Sequence, residues 1–200
     1  MAIKAVDVVL LPSEQMADKA IEANRELLKQ CPNKITLDKK NCLPHISLNM
    51  GCIDEADIAD IEKILESIAK QSSLKELNVT GLRTETNSAG EKVTVLQIES
   101  TRALQSLHEQ IILKLTPYIT NYDVNADMLF SSSEASKSTL LWIKNYPDKS
   151  SFESFSPHIT LGYGQINNFS FPTKFPVSKL ALCHLGNHCT CKEILASAKL

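Results

Sequence analysis

Several things are scarce or missing in this sequence, and each absence excludes a class of protein. No apolar run approaches the roughly 20 residues that a membrane-crossing helix needs. The opening MAIKAVDVVLLP is interrupted by Asp7, and no small-residue cleavage site follows it. It therefore reads as a buried first strand and not as a leader. Positive charge is not in excess: 21 Lys and Arg stand against 23 Asp and Glu, for a formal net charge of −2. That excludes the broad cationic face that grips a long stretch of nucleic acid, so any nucleic-acid ligand is expected to be short or held by one end. No Gly-rich stretch or shift in composition marks a linker, and residues 1–200 are read as a single domain. The six cysteines come without an export signal, which points to reduced thiols and a cytoplasmic protein with no disulfide framework.

What is present is a regular alternation of patterns. AIKAVDVVLLP predicts a strand stopped by Pro12, after which Ser13 caps a helix to about Gln30. HISLNMGCI is a second strand, and Asp54 caps a helix marked by Ile58, Ile61, Ile64, Leu65 and Ile68. LKELNVTGLRTE and EKVTVLQIES predict a hairpin with a polar turn at Asn87 to Gly90. Leu104, Leu107, Ile111, Ile112 and Leu115 mark a third helix ending near Pro117. From Tyr118 to Ser138 the pattern fades, and SSSEASKS reads as a mobile loop. TLLWIKNY, PHITLGYG, VSKLALCHL and CTCKEILASAKL predict the last four strands, with Trp142 a buried strand anchor, although it could also stack on a base. The order β-α-β-α-β-β-α-β-β-β-β fits an α+β fold with antiparallel sheets.

One pattern occurs twice. Pro44-His45-Ile46-Ser47-Leu48 and Pro157-His158-Ile159-Thr160-Leu161 spell nearly the same pentapeptide in opposite halves of the chain. At this chain's own residue frequencies a given histidine gains that whole context by chance in roughly one case in ten thousand. A third His-x-Thr, at His188, lacks the Pro, the Ile and the Leu and reads as coincidence. In an extended strand His45 and Ser47 share one face while Ile46 and Leu48 take the other, and His158 and Thr160 share a face in the same way. Each segment so presents an imidazole beside a hydroxyl, backed by aliphatic residues. Two imidazoles across a cleft suit acid–base chemistry, one taking a proton and the other giving one. The hydroxyls can hold the oxygens of an anionic group, and a phosphodiester fits that set.

These two His-x-Ser/Thr motifs resemble the signature of the 2H phosphoesterase superfamily, which includes 2′-5′ RNA ligase-like proteins and cyclic nucleotide phosphodiesterases. The VDVVLLP opening, the LHEQI helix and FSPHITLGYG extend the resemblance over most of the chain. It implies a bilobal α+β fold, two antiparallel β-sheets with outer helices and a central cleft. It implies His45 and His158 as the acid–base pair, Ser47 and Thr160 as phosphate holders, and chemistry without a metal or other cofactor. The expected substrate is a 2′,3′-cyclic phosphate on an RNA terminus or a small nucleotide, with no membrane and no obligatory protein partner. The alternatives are cleavage or formation of a 2′-5′ phosphodiester, and a module that binds a nucleotide or RNA end without turnover.

Other residues carry weaker signals. Cys183, His184, His188, Cys189 and Cys191 crowd together and raise the reading of a zinc-dependent hydrolase, but their spacing matches no familiar zinc pattern, and alternation makes Cys189 and Cys191 small core residues on one face. By the same alternation Asn49 shares the face of His45 and Ser47, and Tyr163 falls into the core, opposite His158 and Thr160. His108 reads as packing near the surface. Lys39, Lys40 and Arg83 are candidate phosphate neighbours.

Overall fold

The structure, a computed structural model, describes residues 2–32, 34–87 and 90–200; of the expected hairpin turn, Ser88 and Ala89 lie outside the described residues. Strand β1 (Ile3–Pro12) leads into helix α1 (Glu14–Leu28), then β2 (Ile46–Asp54) and α2 (Ile58–Gln71). The hairpin β3 (Glu76–Thr86) and β4 (Lys92–Ile98) is followed by α3 (Arg102–Leu115) and α4 (Lys137–Ser150). Strands β5 (His158–Tyr163), β6 (Lys174–Leu185) and β7 (Cys191–Lys199) close the chain. No helix among the described residues is long and apolar enough to cross a membrane.

Helix α4 corrects the strand expected for TLLWIKNY. Its buried residues Thr139, Ile143 and Tyr146 recur at spacings of four and three, the period of a helix face. The hydroxyl of Ser136, inside the run expected to be a mobile loop, accepts the Thr139 amide at 3.3 Å as an N-cap. Pro147 has no N–H for the Ile143 carbonyl, and Asn121 Nδ2 donates to that carbonyl at 2.7 Å and to the Met50 carbonyl of β2 at 2.9 Å. Branched residues thus form a helix here because tertiary partners satisfy what the local sequence disfavours. Trp142, expected inside, lies 45% exposed.

The fold is α+β and antiparallel throughout. The strands follow the order β2-β1-β6-β3-β4-β5, with β7 on β6. The strand groups β2-β1-β6-β7 and β3-β4-β5, expected as two sheets, run together as one seven-stranded sheet where Glu76 to Asn78 pair with Lys174 to Pro176. The path curls until its end strands, β2 and β5, approach each other. The even-numbered residues Val6, Val8 and Leu10 of β1 join Ile46, Leu48, Ile159 and Leu161 in one core, under the first three helices. Both pentapeptides are therefore anchored by their aliphatic residues, as the alternation predicts.

Each pentapeptide also carries a β-bulge, and both bulges fall on its leucine. Val9 pairs with Ser47 and Val8 with Asn49, so Leu48 is skipped. Val95 pairs with Thr160 and Thr94 with Gly162, so Leu161 is skipped. A bulge takes a carbonyl out of the ladder, and a buried carbonyl needs a donor. His108 Nδ1–H of α3 donates to the Leu48 carbonyl at 2.7 Å, and Asn24 Nδ2 of α1 donates to the Leu161 carbonyl at 2.7 Å. Asn24 also donates to Ile35 O and accepts from Leu37 N, each at 2.9 Å. Gly162 sits at φ +144°, and a Cβ there would stand 2.8 Å from Asn24 Nδ2.

His108 is therefore not near-surface packing but wholly buried, stacked on Phe155 at 3.9 Å, with Nε2 accepting the Phe152 amide at 2.9 Å. Both ring nitrogens are committed to the neutral tautomer, and burial pushes its pKa down, opposed by the Leu48 carbonyl. The stability it contributes is full above the unfolded-state value near 6.5 and is lost as pH falls toward the depressed native value. His108→Ala and Asn24→Ala should each cost about 2–4 kcal/mol in urea denaturation, from carbonyls and amides left without partners. In His108→Ala the loss of stability between pH 7 and pH 5 should be smaller than in the unmutated chain.

Candidate active site

Proline sets the two histidines in place by one repeated device. In Leu43-Pro44-His45 the ring Nδ1 lies 2.7 Å from the Leu43 carbonyl, and in Ser156-Pro157-His158 the ring Nδ1 lies 2.8 Å from the Ser156 carbonyl. A carbonyl can only accept, so each neutral ring carries its hydrogen on Nδ1 and keeps a lone pair at Nε2. Burial lowers the pKa of His45 to about 4, opposed by the Leu43 carbonyl and reinforced by the charge of His158. Burial also lowers that of His158, where the Ser156 carbonyl and Glu85 raise it and Arg83 lowers it. The strands that follow the two prolines, β2 and β5, approach each other.

The hydroxyls differ in their surroundings. Ser47 donates to Asp7 Oδ2 at 2.6 Å, whereas the hydroxyl of half-buried Thr160 has no hydrogen-bond partner among the described residues. Asp7 is completely buried on β1, and its Oδ2 also stands 3.8 Å from His45 Nε2. Burial raises the Asp7 pKa well above the usual carboxylate range, with the Ser47 hydroxyl and the nearby Leu48 and Asn49 amides opposing it. Its Oδ1 has no hydrogen-bond partner among the described residues. Sequence reasoning took Asp7 only as a break in an apolar run. The signal was there: a lone carboxyl inside a strand whose flanks are wholly apolar needs a partner.

The bulges reassign two residues that simple alternation misplaces. The register brings Asn49 opposite Val8, whose neighbours on that face are core, and away from Val9 and Ser47. Tyr163 pairs with Val93 and Thr160 with Val95, so Tyr163 shares the face of Thr160, and its hydroxyl lies 3.0 Å from His188 Nδ1. Arg83 pairs with the same Val95 from β3, which sets it in one row with Thr160. It forms an ion pair with Glu85, and its Nε is buried without a partner among the described residues.

The remaining candidates disperse. Lys39 is held by Glu14 at 3.1 Å and Asp18 at 2.6 Å. Lys40 lines an open groove of about 380 Å³ with Phe130 and Lys192. Of the Cys/His cluster, His184 Nε2 bonds the Met128 carbonyl at 3.0 Å and His188 bonds Tyr163. Cys189, at φ +54°, is only half-buried where Cys191 is fully buried, so the two do not alternate as one core face. Cys191 alone of that cluster groups with Asp7 and His45.

No family model matches the sequence, and no curated protein matches it closely enough to count as a relative. Solved structures do share the fold. TT0787 of Thermus thermophilus superposes with a TM-score of 0.59 at 16% identity, over 98% of this chain and 97% of its own. E. coli LigT in its apo form gives 0.56 at 14% identity, over 100% of this chain and 99% of its own. LigT complexed with phosphate gives 0.56 at 13% identity over the same shares. Nitrogen-15 NMR of the imidazoles at pH 8 should show His45, His158 and His108 all as the Nδ1–H tautomer; an Nε2–H signal from either motif histidine contradicts the arrangement.

Proposed function

We propose that this chain is a 2H phosphoesterase that opens 2′,3′-cyclic phosphates on an RNA terminus or small nucleotide, with His45 and His158 as its general acid and base. The observation that supports the reading is the twice-used Xaa-Pro-His device, which commits Nδ1 of each ring to a carbonyl and leaves each Nε2 lone pair for proton transfer. The fold held in common with LigT supports it, and so does the existence of a LigT structure complexed with phosphate.

The chemistry follows from the two environments. Burial keeps both rings neutral in the free protein, so either Nε2 can accept a proton from water. A bound phosphodiester brings negative charge beside the rings and raises their pKa, which favours the cationic form of the other and makes it an acid. As the base removes the proton of water, the water oxygen bonds to phosphorus. The bond to the 3′ oxygen breaks, the cationic ring protonates that oxygen, and a 2′-phosphate remains.

Thr160 and Ser47 hold the nonbridging oxygens, and Arg83, in the same row as Thr160, adds positive charge. Ser47 is free to donate toward phosphate when Asp7 is neutral, because a protonated carboxyl then donates to the serine oxygen. The raised pKa of Asp7 favours that state.

His45→Ala or His158→Ala should lower kcat by about 10³-fold, and Thr160→Val should lower kcat/KM by about 10²-fold. Arg83→Met should raise KM several-fold while changing kcat less. The deciding assay offers 2′,3′-cyclic nucleotides, cyclic-ended oligonucleotides and 2′-5′ dinucleotides in the presence of chelator. Turnover of the cyclic substrates to 2′-phosphates is the expected result. Cleavage confined to the 2′-5′ dinucleotides would move the assignment to that linkage. Binding without turnover of any of them would make the chain a nucleotide-binding module.

A further inference from the structure

Cys191, Asp7 and His45 come from three separate strands or strand ends, yet each offers one ligand atom to a single spot. A sulfur, a carboxylate oxygen and an imidazole nitrogen there lie within 4.8 Å of one another. Leu43, two residues before His45, pairs with Cys191 across an isolated bridge, which holds the imidazole and the thiol side by side. His45 has its Nδ1 committed to Leu43, so its free atom is Nε2. That nitrogen lies 3.8 Å from Asp7 Oδ2, beyond hydrogen-bond distance. Asp7 is 0% exposed and its Oδ1 has no partner among the described residues. A cation satisfies all three ligand atoms at once.

We propose that Asp7, His45 and Cys191 form an inhibitory site for a divalent cation of the zinc class. One N, one O and one S donor match the preferences of Zn²⁺, and three protein ligands leave a fourth position for water. Calcium and magnesium, which take oxygen ligands, are excluded by the same donor set. His45 keeps 14% of its side chain exposed, which gives the ion a way in. On binding, the Cys191 thiol and the Asp7 carboxyl release their protons to solvent, and the thiolate sulfur, a carboxylate oxygen and His45 Nε2 bond the metal. The metal therefore occupies the very lone pair that proton transfer requires. This consequence rests on the function proposed above; the metal site itself does not.

Two readouts separate the two claims. Co²⁺ added to the full-length chain should bind with a stoichiometry of one and give a thiolate-to-cobalt absorption band. The band should be lost in Cys191→Ser and weakened at least tenfold in apparent affinity in Asp7→Asn, and retained in Cys31→Ser, whose thiol lies outside the cluster. No band in the unmutated chain, or a band that survives Cys191→Ser, overturns the site. On the cyclic substrates, Zn²⁺ should inhibit and chelator should restore turnover, with the inhibitory concentration raised at least tenfold in Cys191→Ser. Should the cobalt band behave as stated in a chain with no turnover, the metal site stands and the phosphoesterase reading falls. Unchanged Zn²⁺ inhibition in both Cys191→Ser and Asp7→Asn would overturn the inhibitory role.

Discussion

Two carbonyls displaced from the sheet, and the two buried side chains that capture them, are the constraint on which the site depends. A bulge at Leu48 and another at Leu161 turn the strands just beyond the motif hydroxyls. Neither would persist in a dry core with its carbonyl unpaired, since a buried acceptor without a donor costs about 1–3 kcal/mol. His108 and Asn24 remove that cost from opposite directions. Helix α1, from the first half of the chain, braces the second motif, and α3, which follows the hairpin, braces the first. The two halves of the sheet are thus tied to each other through the two motif strands.

His108 extends the link further. Its second nitrogen takes the Phe152 amide and its ring stacks on Phe155, both on the approach to Pro157 and His158. One neutral imidazole thereby connects the bulge of the first motif with the lead-in to the second. Acidification acts on this brace as well as on the motif histidines, whose pKa values burial also lowers.

The site buries a carboxyl, an imidazole and a thiol together and leaves one carboxylate oxygen without a partner among the described residues. Native interiors rarely tolerate such an oxygen without a reason. The arrangement suits a group that is neutral when the serine must donate to an anion, and that becomes a ligand when a soft cation displaces its proton. Under the two proposals above, phosphate and metal compete for one constellation, with His45 common to both.

The alternation of Ile46, Leu48, Ile159 and Leu161 and the Pro-His pairs were legible in the chain because strand periodicity and the proline ring act over two or three residues. They determined the two motifs, their aliphatic backing and the α+β class. Helix α4, the side taken by Asn49 and Tyr163, the burial of His108 and the place of Asp7 were decided only by the tertiary structure. A bulge shifts every later residue to the other face, and it is stable only where a distant side chain meets its free carbonyl. Pro147 likewise sits in a helix because Asn121, 26 positions earlier, takes the carbonyl it leaves free. Local sequence sets what a segment prefers; partners far along the chain settle which preference survives burial.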